Sequence, residues 1–294
     1  MTENHSATNK GPFRAVVSSN KKIGGRFYRL SLEFEAAGAE AFAKAVPGQF
    51  AELDLSNTAL PAAEAVPEDL VDAARRQILL RRPFSFTGVT AKEKKTSVDI
   101  LYRVVGPATL RMTTLSSGNT VSVIGPLGNG FTIHSDLEHM LLMAGGMGIA
   151  PIVFLANVAL ERSKKVTLLR GVRYSVQLLP DELLPRGVTI ITATEDGERG
   201  HKGRASELIP DYIESASQIF ACGPMPMYRD MANKYHSFIK DKSVQVSLEV
   251  RMGCGLGVCY GCTVKTRSGL RQVCKDGPIF NLEDILWDEW NYFY

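Results

Sequence analysis

Cysteine is scarce in this chain, tryptophan scarcer, and neither sign of charge predominates. Five cysteines in 294 residues are too few for a small disulfide scaffold, and four of them fall within 21 residues instead of stapling distant loops. A local cluster of that kind points to metal. Lys and Arg total 34 against 31 Asp and Glu, so the formal net charge is only +3. That small excess supplies no field for gripping nucleic acid. No apolar run holds together as a membrane span. Met140 to Leu160 is 21 residues without a charge, long enough by length alone, yet Gly145, Gly146, Gly148 and Pro151 would break a helix at its middle. It reads as a buried strand, a glycine turn and the start of a helix. The opening residues, MTENHSATNK, lack the apolar core of a signal peptide, so a cytoplasmic protein with a disordered lead-in is expected. Hydrophobic residues at 45% and charged residues at 22% are ordinary for globular proteins. They exclude a mainly disordered or collagen-like chain.

The length suggests two domains plus something small. From Phe13 to about Ile133, β-rich runs alternate with turn residues: FRAVVSS, RFYRLSLEFE, GQFAELDL, ILLRRPFSF, SVDILYRVV and TVSVIGPL. That spacing predicts an antiparallel barrel or sandwich over residues 13–135, of which the barrel is the expected fold. Ser56–Gln77 interrupts it with two prolines and a helix-like piece, EDLVDAARRQ, and reads as an insertion carrying its own helix. Beyond His134 the rhythm changes to strands alternating with helices, which predicts a parallel-sheet domain over 136–248. PMYRDMANKYHSFIK reads as its last helix and VQVSLEV as its closing strand. Residues 249–294 form the cysteine segment and tail. No internal repeat is visible.

Within that segment, Cys254, Cys259, Cys262 and Cys274 are spaced Cys-x4-Cys-x2-Cys-x11-Cys. This is the plant-type spacing for a 2Fe–2S cluster. Structural zinc usually shows two Cys-x2-Cys knuckles, and only one pair here has that spacing. Gly253, Gly255, Gly257 and Gly261 would let the loop curl and aim backbone N–H groups at sulfur.

Four further stretches are candidates for nucleotide binding. Arg82-Pro83-Phe84-Ser85 ends a strand, where an Arg and a Ser could hold a phosphate and a flavin edge; an ordinary strand terminus can read the same way. Leu101-Tyr102-Arg103 sets an aromatic beside a cation. AGGMGIAPI carries Gly145, Gly146 and Gly148 between a strand and a helix, where backbone can approach a pyrophosphate at a helix N-terminus. Cys222-Gly223-Pro224 follows a later strand of the same sheet, where ligands gather; a lone buried thiol is the plainer reading of Cys222. Thr194-Glu195-Asp196-Gly197 reads as a solvated acidic turn. Arg170 and Arg173 lie near the end of the second parallel strand, where a 2′-phosphate would be read, which leaves NADP open beside NAD. The tail LWDEWNYFY holds both tryptophans and is expected to pack on a partner.

In this order the segments resemble the ferredoxin reductase superfamily, and more narrowly the electron-transfer subunits of NAD-linked bacterial dihydroorotate dehydrogenases. SLEVRMGCGLGVCYGC and VCKDGPIF carry the resemblance most specifically, within a likeness running from about Phe13 to Leu286. It implies FAD held by Arg82, Pro83, Phe84 and Ser85, by Leu101, Tyr102 and Arg103, and by a Gly-Thr pair that here reads Ala108-Thr109. It implies a 2Fe–2S cluster on the four cysteines, NAD as substrate, no catalytic acid–base pair, and an FMN-containing catalytic subunit as partner, two copies of each chain. A flavin is needed because nicotinamide exchanges two electrons and the cluster one. The flavin subunit of a sulfide dehydrogenase or of an NADH-dependent ferredoxin:NADP oxidoreductase shares the architecture. Oxygenase reductases share the domain order with more widely spaced final cysteines, and a non-enzymatic iron–sulfur redox sensor would keep the cluster alone.

Overall fold

The computed structural model describes residues 10–289 and divides the chain into two compact units, Met1–Leu127 and Gly128–Tyr294. The lead-in 1–9 and the last part of the aromatic tail, including Trp290, lie outside the described residues.

The first unit is a seven-stranded sheet: β1 (Phe13–Gly24), β2 (Phe27–Glu35), β3 (Phe50–Asp54), β4 (Arg82–Ser85), β5 (Gly88–Lys92), β6 (Lys95–Arg103) and β7 (Thr120–Leu127). Their order is β4-β3-β7-β1-β2-β6-β5, and every neighbouring pair is antiparallel. Strict alternation sets the inner face: Phe13, Ala15 and Val17 of β1 are buried while Arg14, Val16 and Ser18 are exposed. The Thr87 N–H donates to Asp99 O (2.8 Å) and the Thr87 hydroxyl accepts the Leu101 N–H (3.0 Å), which draws the chain after β4 against β6 and curls the sheet into a barrel. Ala36–Phe42 forms a short helix that was not expected. It plugs the interior with Phe42, stacked on Phe34 at 4.0 Å and meeting Phe13 and Phe86 edge-on. β5 also escaped the pattern reading, because it is a short edge strand with little buried surface. The insertion holds two 3-10 turns, Ala63–Ala65 and Glu68–Leu70, and one helical turn, Val71–Ala74.

The second unit is built on β8 (His139–Gly145), β9 (Lys165–Val172), β10 (Thr189–Thr194), β11 (His201–Lys202), β12 (Gln218–Cys222), β13 (Ser243–Ser247), the hairpin β14 (Thr263–Thr266) and β15 (Gly269–Gln272), and β16 (Ile279–Asn281). The main sheet runs β11-β10-β9-β8-β12-β13-β16 and is parallel up to β13. β13 does not close it. β16, from beyond the cysteines, adds as an antiparallel edge through Val246 opposite Phe280. The uncharged run resolves into β8, a 3-10 turn Gly146–Gly148 and the helix Ile149–Glu161, with Pro151 in the first turn, where its missing N–H costs nothing.

The boundary falls at Leu127 instead of 135 for a visible reason. Buried Gln245 accepts the Thr132 N–H and donates to the Thr132 carbonyl, both at 2.8 Å, and Gln218 accepts the His134 N–H at 3.0 Å. The expected single helix after Pro224 is broken into Met225–Arg229, a wide π turn Asp230–Lys234 and His236–Ile239. Asp230 is drawn aside there by Arg204 and Ser206 (3.2 and 3.1 Å). Among the described residues no helix is long and apolar enough to cross a membrane.

Candidate functional site

In the barrel, Arg82, Pro83, Phe84 and Ser85 constitute β4, in register with Leu53 through Phe50 of β3. β4 is an edge of the sheet, so Pro83 removes no ladder bond there. All four residues are half-buried. The Arg82 guanidinium donates to the carbonyls of Leu80 (2.7 Å) and Arg81 (3.1 Å). Tyr102 turns into the barrel interior, stacked on Tyr28 at 5.3 Å and donating its hydroxyl to Asn20 Oδ1 (3.2 Å). Burial pushes its phenol far above the ordinary range. Strand alternation puts Leu101 and Arg103 on the opposite face, so Tyr102 anchors the segment from behind. Past β6, the Thr109 hydroxyl accepts the N–H groups of Val105 (3.0 Å) and Gly106 (3.2 Å) and shapes the turn into the helix Pro107–Met112. Ala108 lies inside that helix with its methyl buried, so a side chain at that place is accommodated.

In the second unit the strand order reverses between β8 and β12, on either side of the first strand of the domain. Ligands of open parallel sheets bind at such a switch point, beyond the carboxyl ends of the strands. Both glycine loops lie there, and they pack on each other. A Cβ on Gly148 would stand 2.1 Å from the Cys222 carbonyl oxygen, one on Gly145 2.4 Å from Pro224 Cδ, and one on Gly223 2.9 Å from Gly145 Cα. Gly145, Gly148 and Gly223 are therefore required first by loop-to-loop contact. Gly146 is different: it has φ +55° and open space where a Cβ would be. Cys222 is fully buried and its thiol donates to Glu249 Oε1 at 3.7 Å; burial, then the Glu249 carboxylate, pushes that thiol well up. Tyr228 accepts the Gly223 N–H (2.9 Å) and donates to Ser247 O (2.5 Å), pinning the loop. Tyr228 and Glu249 were not anticipated from sequence. Their only signal was position: Tyr228 lies shortly beyond the predicted strand QIFACGP, and Glu249 lies near the end of the predicted strand VQVSLEV. Arg170 does not reach the ligand side. It is buried, donates to Leu179 O (2.8 Å) and Thr192 Oγ1 (2.9 Å), and pairs with Asp181. Arg173 is exposed at the end of β9.

The cysteine loop presents its thiols in pairs. Cys262 Sγ and Cys274 Sγ are 3.3 Å apart and buried, close to the ~3.8 Å between two thiolates on one tetrahedral metal. Cys254 and Cys259 form the other pair, the first half-buried and the second exposed. Among the described residues no three His, Cys, Asp or Glu side chains gather as for a single ion. Two pairs fit the donor set a two-iron cluster would need, two protein thiolates to each iron. Backbone supports that use. Leu256 and Gly257 aim N–H groups at Cys254 Sγ (3.4 Å) and Cys274 Sγ (3.2 Å). Gly257 does so at φ +79°, where a Cβ would also meet Lys275 at 2.8 Å. Burial works against the Cys254 thiolate, but the N–H groups of Leu256, Cys259 and Val258 outweigh it and bring the thiol down to about 6. Cys274 is pushed up to about 12 by burial and by Cys262. Around the loop, Leu256, Val258 and Tyr260 are 44%, 72% and 70% exposed, with no charged residue from Met252 to Thr263.

Trp287 departs from expectation. It is 5% exposed, donates its indole N–H to Leu282 O (2.8 Å) and packs on Tyr228 at 5.3 Å, so it closes its own unit and is not a partner anchor.

Residues 249–286 match the family described as the iron–sulfur cluster binding domain of dihydroorotate dehydrogenase B, and residues 142–233 match the oxidoreductase NAD-binding domain. The electron transfer subunit of dihydroorotate dehydrogenase B (NAD(+)) from Bacillus caldolyticus is 31% identical over 281 residues, covering 94% of this chain and 99% of that one. Its counterpart from Clostridium perfringens is 32% identical over 273 residues, covering 92% and 96%. A solved structure of an NADH-dependent reduced ferredoxin-NADP oxidoreductase superposes with a TM-score of 0.73 at 24% identity, over 94% of this chain and 90% of that one, and shares the fold. With relatives this similar over almost its whole length, the chain belongs to the family of electron transfer subunits of NAD-dependent dihydroorotate dehydrogenase B.

Proposed function

We propose that this chain, working in the cytoplasm, takes electrons at its cysteine loop from an FMN-holding catalytic subunit and delivers them to NAD+, in an assembly of two copies of each chain. Bound FAD links the two-electron chemistry of nicotinamide to the one-electron chemistry of a 2Fe–2S cluster. The residues of this chain supply the rest. Arg82 and Ser85, with the Leu101–Thr109 segment, hold and orient the flavin. The paired loops Gly145–Gly148 and Cys222–Pro224 present the dinucleotide. Cys254, Cys259, Cys262 and Cys274 hold the cluster. The uncharged rim of Leu256, Val258 and Tyr260 sheds water when a partner docks.

One observation carries the reading: two thiol pairs, one shielded and one at the surface, inside an exposed apolar rim. An electron relay needs that asymmetry, with one side insulated and the other open to a neighbour. In the test, the isolated chain oxidises NADH with an artificial acceptor and leaves dihydroorotate untouched. Mixed with an FMN dihydroorotate dehydrogenase subunit, it reduces NAD+ at the expense of dihydroorotate and elutes as a complex with two of each chain. Dihydroorotate turnover by the isolated chain, or no complex, overturns the reading in favour of the sulfide dehydrogenase and ferredoxin:NADP oxidoreductase group.

A further inference from the structure

The insertion Ser56–Gln77 touches the barrel at informative places. Arg26 donates two parallel hydrogen bonds to Asp69, Nη1 to Oδ2 at 2.9 Å and Nη2 to Oδ1 at 2.5 Å, the fork geometry of a specific pair. Arg111 donates to the Ala74 carbonyl (3.3 Å), and Thr114 donates to the Ala59 carbonyl (3.1 Å). The helical turn Val71–Ala74 lies beside the helix Pro107–Met112.

These grips fall on both ends of one segment. The Arg26 carbonyl accepts the Val104 N–H at 2.9 Å, just where the chain leaves β6 after Leu101-Tyr102-Arg103. Arg111 also donates to the Pro107 carbonyl (3.2 Å), at the start of the helix that carries Ala108 and Thr109. The stretch between them is an irregular turn. Val105 is 61% exposed, and among the described residues the Val105 and Gly106 N–H groups are held by the Thr109 hydroxyl. Such a turn has little packing of its own to fix it. We infer that the insertion is a brace that holds the Leu101–Thr109 segment in flavin-binding shape, with Asp69 and Arg26 as positioning residues. The inference rests on the proposed placement of FAD at that segment.

The test uses the full chain stripped of flavin and titrated with FAD, followed by flavin fluorescence and visible circular dichroism. Asp69→Ala and Arg26→Ala should each weaken FAD binding about two- to fivefold, the scale of one exposed ion pair. The double variant should be no weaker than either single one, because both remove the same link. Asp69→Glu should restore affinity and the flavin dichroism signal. Lys95→Ala, which breaks an exposed pair with Glu33 and Glu35 on the β2–β6 ladder, is the control and should leave both unchanged. If Asp69→Ala binds FAD as wild type does, or if Lys95→Ala weakens it equally, the brace is refuted. The underlying placement is judged separately with Arg82→Ala. Weakened FAD in that variant beside an unaffected Asp69→Ala sinks the brace alone, whereas unchanged FAD in Arg82→Ala sinks the placement and the brace together.

Discussion

Gly148→Ala is the sharpest perturbation of the proposed dinucleotide site, because the added methyl meets backbone. The new Cβ would stand 2.1 Å from the Cys222 oxygen and 2.3 Å from its carbonyl carbon, where ordinary contact begins at 3.4 Å. No rotamer relieves this, so the two loops must separate by about 1.3 Å, the difference between 3.4 and 2.1. Forcing a methyl into a well-packed place costs about 1–3 kcal/mol. If that cost falls on the loops that present NADH, affinity drops about 5- to 150-fold. The assay is steady-state NADH oxidation with ferricyanide, alongside flavin content and thermal unfolding. KM for NADH should rise by that factor while flavin content stays at the wild-type level. Gly223→Ala pushes on the same seam from the other side, at 2.9 Å from Gly145 Cα. The double variant should therefore cost clearly less than the sum of the singles. A wild-type KM with an unchanged Tm in Gly148→Ala, or strict additivity in the pair, would refute the loop-contact argument.

Cys259→Ser alters the exposed thiol pair and should shift or abolish the 2Fe–2S EPR signal, since oxygen is a poor stand-in for thiolate; NADH should still bleach the flavin, and an unaltered EPR spectrum would remove Cys259 from the ligand set. Arg82→Ala should leave the purified chain flavin-poor, by about 1.5–3 kcal/mol for a lost hydrogen bond to phosphate, and excess FAD should restore the colour. Trp287→Ala removes a buried ring and should cost about 3–5 kcal/mol, a fall in Tm on the order of 10 °C by calorimetry; an unchanged Tm beside weakened partner binding would return Trp287 to the interface.

Periodicity and spacing carried most of the architecture. β1, β7 and β8 were legible because alternating or continuous apolar runs report burial directly. That the cysteines come together in one loop was legible from their spacing. Less visible was what depends on contacts between segments far apart in sequence. Nothing in MGCGLG says that Gly257 must point its N–H at Cys274, and nothing in AGGMGIAPI says that Gly145 and Gly148 pack against the Cys222–Pro224 loop. Arg170 looked like a phosphate reader because its neighbours along the chain suggested one, while Asp181 and Thr192, which hold it, come from later elements. Trp287 looked like an anchor for a partner because terminal aromatics are costly to leave in water. The fold meets that cost internally, on Tyr228.

The antiparallel edge strand β16 has a consequence for how the protein is made. The cysteine loop lies between two neighbouring strands of one sheet, and Asn129 ties its far end down by donating to Asp276 O (3.1 Å) and Ile279 O (3.0 Å). A chain synthesised from its N-terminus exposes β13, with its row of unpaired backbone groups, until residues 279–281 have left the ribosome and turned back. Completing the sheet therefore also fixes the far end of the cysteine loop.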